Sequence, residues 1–414
     1  MARGIIEGVG GAGFPTGWKQ KESGEVYGSN IEKSDPIVLG VYGDWETQID
    51  KIPDLLPGAA TSDVSFYSDY MAIAKTVAPY LKIYKKTGSI SFTEITTITG
   101  LPITGSGTCV SFSPDGNFIA VGSNAVGDYL CIFNRVGDVF TKISNPATIP
   151  TTAVRGLSFS PDGIYLAVSD FTDTLRIYKK NGSLFEDFTT LLPSSGKRLN
   201  WPRFSPDGKY LSISSEDTPY IFIYSISGEV YTKLSDPVSL PVGGSSGCDF
   251  SPDGKYLAVC HVATPYVTIY SILNDVFTKI VNPAILPSSA PASCSFDVSS
   301  TYLSLAVSAT PVVFNYKIID GKFEKMANPS SLPPQNGYGN SFSKNGEFLA
   351  IGSTGTPHLT IYRTDTINIV SKVTHFSTNP LSWLPNNDNI GISLQAGVIG
   401  DTINVNLFPA LNNI

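Results

Sequence analysis

Asp115, Asp162, Asp207 and Asp253 are the first candidates for chemistry in this chain, because they recur as a set, each flanked by Pro and Gly. Carboxylates placed in this way can act as general acids or bases. Their neighbours supply a simpler account. In Ser-Pro-Asp-Gly, Pro presets φ, Asp bonds nearby backbone and Gly accepts a positive φ, so each aspartate belongs to a turn. Gly8-Val9-Gly10-Gly11-Ala12-Gly13 matches the three-glycine pattern that cradles a dinucleotide. That pattern needs a strand–turn–helix unit, and Phe14-Pro15-Thr16-Gly17 continues as loop. His261, His358 and His375 are too scattered for a metal cluster and read as surface or packing residues. Gly243-Gly244-Ser245-Ser246-Gly247 offers serines, but no strand-to-helix turn follows to expose a nucleophile, so it reads as linker. The five cysteines cannot all pair internally and show no zinc spacing. They read as free, buried, nearly apolar thiols. No catalytic, cofactor-binding or metal-ligating residue is assigned, no individual binding residue is chosen, and no cofactor is expected.

The elements that hold these residues are set by a repeat. Phe112-Ser113-Pro114-Asp115-Gly116 returns as Phe159 to Gly163, Phe204 to Gly208 and Phe250 to Gly254, with a worn copy at Phe342-Ser343-Lys344-Asn345-Gly346. Phe66 and Phe296 keep the frame without the turn residues. The steps from Phe66 to Phe342 are 46, 47, 45, 46, 46 and 46 residues. A fixed period in this range marks a solenoid, propeller or array. Within one unit, Val154 to Phe159 alternates into the motif as a buried strand. Tyr165 to Ser169 closes a tight hairpin, and Thr174 to Tyr178 alternates as a third strand. Lys180-Asn181-Gly182-Ser183 is a hairpin turn of the Asn-Gly type, followed by Leu184 to Phe188. The units are joined by Asn145-Pro146-Ala147-Thr148-Ile149-Pro150 and its echoes at 236–241, 282–287 and 328–333, where Pro belongs between sheets. Four strands per unit with two marked turns is the blade of a β-propeller, and no helical pattern interrupts the series.

The expected fold is therefore all-β, a single β-propeller of four-stranded blades. Gly43 to Ile49 aligns with Gly137 to Ile143 as an outermost strand with no inner strands before it. Leu381-Ser382-Trp383-Leu384-Pro385 reads as an eighth inner strand and turn, with Ile390 to Gln395 and Thr402 to Phe408 after it. This predicts eight blades, the closing one shared by N- and C-terminal strands. Seven blades is the alternative, if the C-terminal segment packs elsewhere. The domain division that follows is a Gly-rich N-terminal arm over 1–36 and a propeller over 37–414.

Composition narrows the function classes. The net charge of −7 argues against a general nucleic-acid binder, which needs a basic surface. No apolar run is long enough to span a bilayer, and Met1 to Glu7 carries no secretory signal, which points to a protein made and kept in the cytoplasm or released by another route. Aromatic residues on the third and fourth strands read as sheet packing.

The Phe-Ser-Pro-Asp-Gly hairpin followed by Tyr-Leu-Ala-Val resembles WD-repeat-like propellers of bacteria and their viruses, over residues 37 to 408. The repeats depart from the eukaryotic pattern: no Gly-His opens them and no Trp-Asp closes them, so the hydrogen-bonded tetrad of that family is not carried over. The whole unit, as in Tyr266-Val267-Thr268-Ile269-Tyr270 and Val276 to Ala284, is similar to propellers of tailed-bacteriophage virion proteins. That resemblance implies a non-enzymatic structural or binding component of the particle, on tail or capsid. It would be present in several copies and attached to other virion proteins through residues 1–36, with a host surface protein or glycan as a further partner. A cytoplasmic bacterial interaction scaffold is the alternative. An enzyme of the lactonase or quinoprotein kind would need carboxylate, His or Arg clusters around the axis. The inner strands read Cys109-Val110-Ser111, Gly156-Leu157-Ser158 and Cys248-Asp249, small and nearly uncharged apart from Arg155, Arg203 and Asp249, so no enzyme is expected.

Overall fold

The computed structural model describes residues 57–89, 91–101, 105–172, 174–191, 197–329 and 331–364, together with short strands near the two ends. The chain forms two compact units, one of residues 50–365 and one that joins 1–49 to 366–414. In the second of these, Arg3–Gly8 pairs antiparallel with Ile37–Tyr42, Trp18–Gln20 with Val26–Gly28, and Ile392–Ser393 with Asn406–Leu407. The expected boundary at residue 36 lies outside the described residues. So do the outermost strand placed at Gly43 to Ile49 and the inner strand placed at Trp383.

Residues 50–365 form a β-propeller of seven sheets. Blade 3 shows the plan: Val154–Phe159, Tyr165–Asp170, Leu175–Asn181 and Leu184–Leu191 are successive antiparallel neighbours. The innermost strands of the other blades are Thr61–Tyr67, Gly107–Phe112, Leu199–Phe204, Ser245–Phe250, Pro291–Phe296 and Gly337–Phe342. Blade 7 has three described strands, and blade 2 gains a parallel edge strand, Ile98–Thr99, beside Val139–Lys142. Among the described residues no helix is long and apolar enough to cross a membrane.

The ring closes at seven, which corrects the count of eight and leaves the stated alternative of seven. Val64, Phe66, Met71, Ile73 and Tyr84 of blade 1 share one core with Phe348, Ala350, Leu359 and Ile361 of blade 7. A seam of this kind leaves no room for an eighth blade between them. Gly339 explains the close fit: a Cβ there would lie 2.5 Å from Asp63 Cα and 2.8 Å from Ser62 O. Count and closure were legible only in part, because the repeat marks each blade and not the place where the first and last blades meet.

The cores lie between blades. Ala72, Ala74 and Ile83 of blade 1 pack on Val110, Phe112 and Val121 of blade 2, and the same alternation joins later pairs. Each sheet is apolar on both faces because each is sandwiched by two others, which removes exposed sheet faces around the ring.

The motif turns are built as their residues require. In blade 2, Ser113 Oγ donates to Asp115 Oδ1 at 2.6 Å and accepts from Phe118 N at 2.9 Å, while Asn117 N donates to Asp115 Oδ1 at 3.0 Å. The glycines that end these turns sit at φ between +68° and +75°, where a side chain would be strained. Blade 6 keeps the turn although its residues differ. Asp297 takes the Ser place and accepts from Tyr302 N at 2.6 Å and Thr301 N at 2.7 Å, Ser299 takes the Asp place, and Ser300 adopts φ 58°.

The Tyr at the fourth place of the third strand supplies a lock where the repeats have no Trp-Asp. Tyr178, Tyr270, Tyr316 and Tyr362 are fully buried. Each hydroxyl donates to a carbonyl in the linker entering its own blade: Thr148 O at 3.0 Å, Ser239 O at 2.7 Å, Ile285 O at 2.8 Å and Ser331 O at 2.8 Å. All four acceptors occupy the fourth place of the six-residue linker.

Candidate functional site

The innermost strands surround the axis, and what lines it follows from their register. All seven carry a bulge at the same place, between residues such as Gly107 and Cys109 or Ser245 and Gly247. A bulge frees a side chain from the ladder and re-aims it. Here it turns polar groups toward the next blade: Thr108 Oγ1 donates to Val154 O at 2.6 Å, and Ser246 Oγ donates to Pro291 O at 2.5 Å. At the motif end the residue before Phe does the same in blades 1, 5 and 6, while Ser111, Ser158 and Ser341 donate to the carbonyl of their own Phe. Ser65 Oγ accepts from Phe112 N at 3.1 Å, and Asp249 Oδ2 accepts from Phe296 N at 2.9 Å. These contacts satisfy inner-edge donors and acceptors of blades 2, 3 and 6, which would otherwise face the axis unpaired.

Three charged places break this ring, Arg155 at the bulge of blade 3, Asp63 in blade 1 and the pair Arg203 and Asp249. At the position before Phe, blades 4 and 5 carry Arg203 and Asp249, whose Nε and Oδ1 are 3.8 Å apart. Arg203 Nη1 also donates to Leu157 O at 3.4 Å. Burial raises the Asp249 carboxyl to about 6, against the pull of Arg203. Asp63, only 4% exposed, accepts from Val110 N at 2.9 Å, and burial raises it to about 7. Sequence reading named Arg155, Arg203 and Asp249 as exceptions and missed Asp63. The available signal was a lone acid at a register filled elsewhere by Cys109, Gly156, Trp201, Gly247, Ser293 and Gly339.

The ring has two mouths. On the side of the loops between second and third strands, Arg155 pairs with Glu216 and lies 4.1 Å from the Phe171 ring centroid. Arg198 reaches Glu216 at 2.6 Å and Asp217 at 3.5 Å. These charges neutralise one another across blades 3 and 4. On the side of the motif turns, a cavity of about 230 Å³ is lined from five blades by residues including Phe66, Phe112, Phe159, Phe204, Phe342, Pro114, Pro161, Pro206 and Lys344.

The other sequence candidates fall as follows. Asp115, Asp207 and Asp253 are held in their turns by Ser hydroxyls and backbone N–H groups, and these bonds keep each carboxyl below its ordinary range against the opposing effect of partial burial. Asp162 occupies the same place in blade 3 and accepts from Ser160 Oγ. The four stand one per blade rather than converging. His261 is fully buried at the end of Tyr256–His261, with Nε2 3.0 Å from Thr268 Oγ1. His358 sits in the loop between the second and third strands of blade 7, with Nε2 3.4 Å from Thr356 Oγ1. His375 and Gly10 to Gly13 lie outside the described residues. Ser245, Ser246 and Gly247, read as linker, belong to the innermost strand of blade 5, because the bulge lets this Gly-Ser run join the ladder. All five cysteines are buried and unbridged, and burial pushes the Cys248 thiol up to about 12. Among the described residues no group of three or more His, Cys, Asp or Glu side chains is arranged to hold a metal ion.

Comparison with known families agrees with this architecture. The profile of the WD domain, G-beta repeat, matches residues 98–128 and 145–179, which span the first strands of blades 2 and 3 with the segments leading into them. The chain is thus a propeller whose repeats are similar to WD repeats in these two spans. No curated protein sequence matches the chain.

Proposed function

We propose that the chain is a non-enzymatic protein-interaction module, in which a rigid seven-bladed ring presents its loops and axial mouths to protein partners. The observation that carries this reading is the inner ring itself. Polar groups from blades 1, 2, 4, 5 and 6 join neighbouring blades there, which makes the axis a structural seam, and the variable chemistry sits on the faces. Exposed apolar side chains such as Val77, Val126, Phe171 and Val262 follow the second strands of blades 1, 2, 3 and 5 on a single face. Scaffolded loops of this kind are the usual carriers of recognition, and WD repeats, which two spans resemble, build propellers of the same plan.

A narrower form of the proposal places this module in a bacteriophage particle, on tail or capsid, in several copies attached through residues 1–36. What supports it is the resemblance read from the sequence at Tyr266 to Tyr270 and Val276 to Ala284. The alternative is a cytoplasmic scaffold. Cross-linking mass spectrometry of the full chain purified from its source tests the broad reading. Links from a stoichiometric partner to the face loops are expected, and a chain that links only to itself would overturn it. Peptide mass spectrometry of purified phage particles separates the narrower forms, since absence from infectious particles leaves the scaffold.

A further inference from the structure

One seam between blades is polar at places where the others are apolar. The third place of the third strand is Asn315 in blade 6 and Ile in the six other blades, as in Ile269 and Ile361. Directly opposite Asn315 across the ladder stands Ser304, at a place that is Ala in five blades, as in Ala258 and Ala350. Leu303 and Leu305 pack toward blade 5, so the alternation of the pleat turns Ser304 toward blade 7, and Asn315 with it. Blade 7 answers with Asn340, at a place that is Val in blades 1 and 2. Asn340 Nδ2 donates to Ser304 O at 2.8 Å, and its Oδ1 accepts from Ser293 Oγ at 2.7 Å. Three facing core positions are thus polar together at this one seam.

Ser304 is 0% exposed and Asn315 1%. Ser304 Oγ, Asn315 Oδ1 and Asn315 Nδ2 have no hydrogen-bond partner among the described residues. Buried polar groups left in this state are costly, and in folded proteins nearly all of them are bonded to protein or to ordered water. Blade 4 supplies the contrast: Ser212, at the place of Ser304, has its Oγ 3.2 Å from Cys248 Sγ of blade 5. We propose that the seam between blades 6 and 7 is a site for long-lived internal water, about one or two molecules, anchored by Asn315 and Ser304. The donor set selects this ligand. Asn315 Oδ1 accepts, its Nδ2 donates, and the Ser304 hydroxyl does either. Water donates and accepts, so it can meet all three. A cation would face the Nδ2 hydrogens and an anion the Oδ1 lone pairs, with no opposite charge among these residues. An apolar guest would leave every one of these atoms unbonded. The site lies inside the ring wall, so it is independent of any partner the faces bind.

The test compares the full chain with its double variant Ser304→Ala/Asn315→Ile, which installs the residues of the other blades. Replacing buried polar groups together by apolar ones can be neutral or stabilising, so the variant should fold, with a urea midpoint at or above that of the parent. Water ¹⁷O magnetic relaxation dispersion reports the molecules that stay bound for longer than the protein takes to tumble. The parent is expected to exceed the variant by the amplitude of about one or two waters, and equal amplitudes would overturn the proposal. Crystals of the parent provide a second measurement, which decides the matter even where the variant does not fold. Water density within hydrogen-bonding distance of Asn315 and Ser304 is expected there. A direct bond between the two side chains, with no water at the seam, would overturn the proposal.

Discussion

Asp63 accepts the Val110 N–H from a site that is 4% exposed, with the Arg203 guanidinium acting on it through space. Its folded pKa of about 7 lies above the ordinary 3.8. The folded state therefore holds a proton that the unfolded chain has released, and stability is lost as pH rises from about 4 to about 7. Asp249, raised to about 6, has the same sign. Asp63→Asn keeps an acceptor for Val110 and cannot ionise. In urea unfolding it should match the parent near pH 4 and exceed it by roughly 1–4 kcal/mol near pH 8; a variant weaker at pH 8 would show that the carboxylate is held charged. His261 works in the opposite direction, because burial lowers it to about 4. Its contribution is present above the ordinary 6.5 and is lost as pH falls from there toward 4, by up to about 3 kcal/mol. His261→Gln should flatten that acid limb in the same assay, and an unchanged limb would assign acid loss to other groups. Neither role was legible in sequence. Asp63 meets Val110 only through a neighbouring blade, 47 positions away, and the repeat identifies shared positions while passing over a single odd residue among them.

At the scale of the element, the blade is held by two local devices, the Ser-Asp turn and the Tyr lock on the linker. The turn was legible because all its partners lie within a few residues of one another. The lock was not, since Tyr270 and Ser239 are 31 positions apart, although the paired recurrence of Ile-Tyr and Asn-Pro or Asp-Pro linkers was the visible trace of it. Blade 6 shows the limit of motif reading: Asp297 and Ser299 exchange the places of Ser and Asp, and the same N–H groups are satisfied. Tyr270→Phe removes a part-buried 2.7 Å bond and leaves the Ser239 carbonyl without that donor, at a cost of about 1 kcal/mol. Tyr224, at the same register of blade 4, is the natural control, because blade 4 is entered by a different linker. Tyr224→Phe is expected to lie within about 0.5 kcal/mol of the parent. Equal losses in the two variants, measured by denaturant midpoint at constant slope, would mean that the ring rather than the hydroxyl carries the effect.

For the molecule as a whole, closure decides what kind of object this is. Seven blades joined through the blade 7 to blade 1 core need no strand from beyond residues 50–365 to bury Phe66, Met71 and Phe348. The repeat frame from Phe66 to Phe342 was legible at once, since it rests on residues each blade needs for itself. The number of blades was not, because closure is a property of the two ends meeting and leaves no local mark. Residues 50–365 expressed alone should therefore fold cooperatively, with a single thermal transition and the far-ultraviolet β signature of the full chain. Gly339→Val within it should be costly, since its Cβ would fall 2.5 Å from Asp63 Cα at the seam; overpacking of this kind costs about 1–3 kcal/mol or more. The exposed Gly228, with φ +60° and nothing within 4 Å of the place a Cβ would take, is the comparison, and Gly228→Ala should lose only the roughly 1 kcal/mol of backbone strain. A fragment that aggregates or melts in two steps, with no greater loss from Gly339→Val than from Gly228→Ala, would mean that the ring is closed by the segments outside 50–365, and the eight-bladed arrangement would return.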